Sequence, residues 1–123
     1  MNPLSSTIRT ADWKSEKHVP VLTLPEGAKP GEVFDAEVAV GKEIPHPNTL
    51  EHHIAWAALF FVADGSQLPV ELARAEFRTH GPDLFAAPVL KASVKLAKSG
   101  TLHAVAYCNI HGLWESERKI SVV

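Results

Sequence analysis

Near its C-terminal end the chain reads Cys108-Asn109-Ile110-His111-Gly112-Leu113-Trp114. A thiolate and an imidazole three residues apart, with a glycine directly after, suit a short turn at a strand end that aims both side chains at one metal ion. The pattern gains weight from the rest of the chain. Cys108 is the single cysteine, and histidines gather upstream in Glu16-Lys17-His18 and in His46-Pro47-Asn48-Thr49-Leu50-Glu51-His52-His53. A site drawn from all three stretches holds one sulfur and several nitrogens, and that stoichiometry narrows the metal.

Structural zinc takes more thiolates and closes a tetrahedral shell, whereas this chain offers more nitrogens than zinc needs. A blue-copper electron carrier is the rival, since it too is a small β-sandwich with a C-terminal Cys and His and an upstream His. Its weak axial methionine is missing, because the single methionine is Met1. A glutamine or backbone oxygen could substitute, so copper stays open, as does an immunoglobulin-like interaction domain that binds metal adventitiously. Iron fits best if four imidazoles occupy a plane and a thiolate binds on the axis, leaving one position for a small substrate. An axial thiolate donates electron density into the iron and into whatever binds opposite it.

The elements that must position these residues read as strands. Val33 to Val40 and Leu90 to Leu96 alternate apolar and polar residues, each giving one buried and one wet face. Ile54 to Val62, opened by His52 and His53, is a continuous apolar run that reads as a strand buried on both faces. Neighbouring strand residues point to opposite faces, so at most one of His52 and His53 reaches a given site. Thr101 to Tyr107 puts Leu102, Ala104 and Ala106 on one side, and this parity turns Cys108 to the same interior while His103 points away. Val19 to Leu22, with Pro20, reads as an edge strand, and Trp114 to Val123 as the closing strand. Pro69 to Phe77 is ambiguous between strand and short helix and is assigned as strand. Leu24 to Gly31, Gly41 to Thr49, Asp64 to Gln67 and Thr79 to Asp83 are loops, with His46 stiffened between two prolines and His80 exposed and idle. Short strands between Gly/Pro turns, without a helical period or a parallel-sheet pattern, predict an all-β, antiparallel two-sheet sandwich.

At 123 residues, 46% hydrophobic and 21% charged, the chain has the size and composition of one globular domain, 1–123, with 1–15 as an N-terminal arm. Twelve basic and 14 acidic residues spread along it give a net charge of −2. No basic stripe for nucleic acid or polybasic membrane patch results, so any attraction for an anion must be local. No apolar run has signal-peptide or membrane-span length, and one cysteine permits no internal disulfide; the expected compartment is the cytoplasm.

Three motifs in this order and spacing closely resemble superoxide reductases of the one-iron type, the neelaredoxins, which share the iron-binding domain of desulfoferrodoxins. They are Glu16-Lys17-His18-Val19-Pro20, Ile44-Pro45-His46-Pro47-Asn48-Thr49-Leu50-Glu51-His52-His53-Ile54, and Tyr107-Cys108-Asn109-Ile110-His111-Gly112-Leu113-Trp114. The resemblance covers nearly the whole chain. It implies an immunoglobulin-like sandwich of about seven strands and one iron (Fe2+/Fe3+) per chain, with His18, His46, His52 and His111 as equatorial ligands and Cys108 on the axis. It thereby selects His52 over His53. It further implies that Glu16 can take the sixth position on ferric iron, and that Lys17 attracts superoxide and orders water beside it. The implied reaction is one-electron reduction of superoxide to hydrogen peroxide, with re-reduction by a small protein such as rubredoxin, in a homo-oligomer, a tetramer. The cysteine-rich N-terminal domain of the two-iron relatives has no counterpart, so no second iron is expected. Backbone N–H groups of the turn after Cys108 are expected to bond its sulfur.

Overall fold

The computed structural model describes residues 3–123. Its strands are β1 (Pro20–Thr23), β2 (Gly27–Ala28), β3 (Val33–Val40), β4 (Ile54–Ala63), β5 (Val70–Glu76), β6 (Val89–Lys95), β7 (Gly100–Cys108) and β8 (Gly112–Val122). The two stretches with the strictest alternation, β3 and β6, pair antiparallel with Val38 opposite Leu90 and Phe34 opposite Val94. With β1 they form a three-stranded sheet in the order β1-β3-β6, and the other strands form a second sheet, β2-β8-β7-β4-β5. The seven longer strands thus divide as first, second and fifth against third, fourth, sixth and seventh, the connectivity of an immunoglobulin-like sandwich.

The core lies between the sheets. From one side come Leu22, Ala36, Val38, Val40, Leu90 and Val94, and from the other Ala57, Leu59, Leu102, Ala104, Ala106 and Ile120. Full burial of Leu59 and Leu102 contributes roughly 2 kcal/mol apiece relative to exposure. From the paired central strands β4 and β7 of the second sheet, small alanines at 57, 104 and 106 face the core. Cys108 continues the inward parity of Leu102, Ala104 and Ala106 and is fully buried, as the alternation predicts.

Three local readings are sharpened by the fold. The ambiguous segment is strand β5, an edge that joins β4 through a bulge between Leu59 and Phe60. The turn region 24–31 contains β2, a two-residue parallel pairing with the end of β8, too short to leave any pattern. The 1–15 arm includes a single 3-10 turn at Leu4–Ser6, then docks: Arg9 N–H donates to Leu113 O at 3.2 Å and Arg9 O accepts from Glu115 N–H at 2.8 Å. Met1 and Asn2 of that arm lie outside the described residues. Among the described residues no helix is long and apolar enough to cross a membrane.

Candidate metal centre

The histidines and the cysteine are brought together at one end of the sandwich by three connections of different kinds. Cys108 and His111 sit on the hairpin between β7 and β8, whose three-residue loop closes with Cys108 paired to Gly112. Gly112, the first residue of β8, has φ +81°, the left-handed conformation that glycine adopts without strain as the chain turns back into the strand. His18 leads directly into β1. His46 and His52 come from the long β3–β4 connection, which has no ladder of its own. There Gly41, at φ +79°, lets the chain fold back so closely that a Cβ would stand 2.6 Å from His46 N.

One donor atom from each of His18, His46, His52 and Cys108 lies within 4.8 Å of the others. His111 joins them: its Nδ1 stands 3.1 Å from His18 Nε2, 3.2 Å from His52 Nε2 and 3.8 Å from Cys108 Sγ. Nitrogens bound roughly 2.1 Å from a common ion at right angles stand about 3 Å apart, so the imidazole spacing is that of a coordination shell. Tautomers agree. His18 Nδ1 donates to Glu16 Oε1 at 2.6 Å, which leaves Nε2 with a lone pair facing the centre. His46 Nδ1 donates to Pro47 O at 2.7 Å, and its Nε2 is a buried polar atom with no hydrogen-bond partner. A buried lone pair left unpaired costs about 1–3 kcal/mol, and a cation removes that cost. The His/Cys set is a metal site, and its residues fit one.

The electrostatics point the same way. Burial above all holds the His46 imidazole well below its ordinary value, down to about 4; the charges of His18, His52 and Lys17 add to this, and the bond to Pro47 O opposes it. His52 is also lowered, first by burial and then by His111, His18, Lys17 and His53. Both rings are therefore held neutral, the state that binds metal. For Glu16, burial alone would raise the carboxyl, but hydrogen bonds from the His18 side chain and from the His18 and Lys17 backbone hold it below the usual range. Lys17 is half-buried and close enough for its charge to bias His46 and His52 alike. His111 N–H donates to Cys108 Sγ at 3.4 Å, the bond to sulfur expected of this turn. Cys108, His18 and His46 are buried, His52 is half-buried and His111 is exposed, so the centre opens to solvent on the His111 side.

One of the two adjacent histidines reaches the centre, but both lie in the turn before β4 and not in the strand itself, so the turn at Thr49–His52 and not strand parity separates them. His53 instead turns away and stacks on His80, ring centroids 3.5 Å apart and planes within 7°. His80 corrects the reading of an exposed, idle loop residue: it is 7% exposed, and its ring nitrogens face two acceptor oxygens, Asn48 Oδ1 at 2.7 Å and Phe77 O at 2.6 Å. Sequence reasoning also passed over the braces. Asn109 accepts from His53 N–H at 2.9 Å and donates to Glu51 O at 3.0 Å, tying turn to loop. Trp114 stacks on His18 at 4.8 Å and donates to His111 O at 3.3 Å.

The model of the desulfoferrodoxin family matches residues 10–117. The chain belongs to the desulfoferrodoxin family. All seven candidate residues fall inside the matched stretch. Among its relatives, the superoxide reductase of Pyrococcus horikoshii is 52% identical over 93% of this chain and 96% of its own. The neelaredoxin of Megalodesulfovibrio gigas is 37% identical, over 93% and 94%. The solved superoxide reductase (neelaredoxin) of Archaeoglobus fulgidus in its reduced form superposes with a TM-score of 0.86 at 48% identity, covering 94% of this chain and 99% of that one. Membership in the desulfoferrodoxin family disfavours the blue-copper reading, and so does the site: four imidazoles beside the thiolate are two more than copper carriers use.

Proposed function

We propose that this protein is a one-iron superoxide reductase, reducing superoxide to hydrogen peroxide. The observation that carries the reading is the convergence of four imidazoles and one buried thiolate on a point open to solvent, in a desulfoferrodoxin-family chain. His18, His46, His52, His111 and Cys108 are the residues that would hold the iron. Iron held there supplies the single electron that superoxide takes, and two protons complete the product. The chain's own residues do the rest. Lys17 is a local cation that draws the anion to a molecule of net charge −2 and holds water from which protons come. The His111 backbone N–H on the sulfur withdraws part of the thiolate's electron density, which would favour release of peroxide with its O–O bond intact. Glu16 holds the His18 ring in register through Nδ1, on the side of the ring away from the centre; to ligate ferric iron, as the family resemblance implies, its carboxylate would have to leave that nitrogen.

Residues 1–123 act as one iron-binding domain with 1–15 as its arm, working in the cytoplasm as a homo-oligomer, a tetramer. A small redox protein such as rubredoxin returns the electron. Metal analysis of the purified chain, with visible spectra before and after ferricyanide, tests the reading together with product counting. One iron per chain, a thiolate-to-iron band appearing on oxidation, and one peroxide per superoxide without dioxygen support it. Copper in place of iron, or dioxygen released in dismutase proportion, overturns it. Lys17→Ala should slow the bimolecular step about 10-fold and flatten its salt dependence, with Lys17→Arg restoring most of both. Stopped-flow traces over a range of ionic strength decide this.

A further inference from the structure

His80 is a buried histidine outside the metal centre, in the β5–β6 connection, and its contacts fall on both shoulders of the β3–β4 connection. Through Asn48 it reaches the residue two after His46, and through the stack on His53 the residue one after His52. We propose that His80 is a positioning residue that sets His46 and His52 before the metal arrives. This rests on the metal-site reading and adds to it a residue 28 positions beyond His52 in the chain.

The argument starts from what the 41–53 segment lacks. It makes no ladder, so its shape depends on single contacts. Within it, a tight turn is closed by Thr49 N–H to His52 O at 2.9 Å and His52 N–H to Thr49 O at 3.2 Å, and Gly41 packs under His46. These contacts shape the turn without fixing it to the sandwich. That attachment is made by Asn109 on the side of the hairpin and, on the other, by His80 together with the Asn48 bond to Ala86 O. Asn48 Nδ2 donates to Ala86 O at 3.0 Å, and this fixes the amide so that Oδ1 faces His80 Nδ1. His53 Nδ1 donates to Thr49 O at 2.9 Å, so its ring orientation, and with it the stack, is tied to the turn.

The clamp itself is anchored. Phe77, whose O bonds His80 Nε2, is 6% exposed in the core, and its N–H donates to Ala55 O at 2.8 Å at the start of β4. The segment that carries His80 is closed on itself by Gly81 N–H to Leu84 O at 2.9 Å and Ala86 N–H to Thr79 O at 2.8 Å. With both nitrogens occupied, His80 has no donor atom left for a metal. Its role is to spend the ordering entropy of the loop during folding, so that metal binding does not have to.

The test uses the full chain with three variants: His80→Ala, His80→Gln, and Asn48→Ser as a milder break should His80→Ala not fold. His103→Ala, on the face of β7 away from the core, is the control. Cobalt(II) affinity by chelator competition and the cobalt–thiolate absorption band are read on loaded protein. Hydrogen exchange of the 48–53 amides is read on metal-free protein. The expected result is a 10- to 100-fold weaker cobalt affinity with a shifted band, faster exchange confined to 48–53, partial recovery in His80→Gln, and no change in the control. Unchanged affinity, band and exchange in folded His80→Gln and Asn48→Ser overturn the proposal and leave the metal reading intact. Failure of the unmodified chain to bind cobalt through sulfur overturns both. Uniform loss of protection across the sandwich assigns His80 to general stability and also overturns it.

Discussion

Two segments supply donors to the same centre and are built on opposite plans. The Cys108–Gly112 hairpin is three residues long between paired strands, and the ladder of β7 and β8 dictates where Cys108 and His111 point. The 41–53 connection spans more than four times that length without a ladder, and His46 and His52 are placed by a glycine contact, two asparagines and a stacked ring. A donor on a hairpin inherits its position from the sheet. A donor on a long loop needs side chains recruited from elsewhere, and its position is as sound as the weakest of them.

The comparison breaks most clearly at its glycines, which share one φ and differ in surroundings. Gly41→Ala adds a methyl 2.6 Å from His46 N on top of a left-handed backbone, so both strain and collision act. We expect about 3–4 kcal/mol of lost stability and loss of tight metal binding, measured by denaturant titration and chelator competition. Acid is the next largest perturbation and also acts on the loop. In the unfolded chain His46 takes a proton near 6.5, but in the fold not until about 4. Between those values the unfolded chain holds more protons, so stability of the metal-free protein is full above about pH 6.5 and falls as the pH drops toward 4. His46 alone contributes on the order of 3 kcal/mol to that fall, and His52 adds in the same direction. Denaturation midpoints of the metal-free chain across this window measure it, and His46→Gln should flatten the curve. The smallest effect belongs to the hairpin. Gly112→Ala meets nothing within 4 Å, so only backbone strain of about 1–2 kcal/mol is expected, with the metal still bound. If Gly112→Ala released metal as readily as Gly41→Ala, the distinction between ladder-placed and side-chain-placed donors would be wrong.

The same distinction explains what was legible in the sequence. Period-two alternation located β3, β6 and β7, and its parity carried through to the burial of Cys108, because a ladder is a local and repeating constraint. Spacing brought out the three clusters around His18, His46 to His53 and Cys108 to His111, and the family resemblance picked Glu16, Lys17, His18, His46, His52, Cys108 and His111 out of them. What stayed hidden was held by single long-range contacts. Asn48 and His80 are 32 residues apart, and Asn109 and His53 are 56 apart. No periodicity announces such pairs, so His80 read as an ordinary loop histidine. β2 was missed for a related reason, since two residues are too few to show alternation.

The burial of Cys108 has a chemical consequence beyond coordination. Under the proposed reaction this sulfur sits beside a source of hydrogen peroxide, the oxidant that turns exposed thiolates into sulfenic and then irreversibly oxidised acids. Cys108 is fully enclosed, backed by the inward row of β7 and covered at its outer lone pair by the His111 N–H. Under that reaction the peroxide would leave on the His111 side, where the centre meets solvent, while the sulfur is the fully buried member of the donor set. The end of β7 is thus a shield as well as a support, and the enzyme's working life is set by how well the sandwich keeps its own product away from its only thiol.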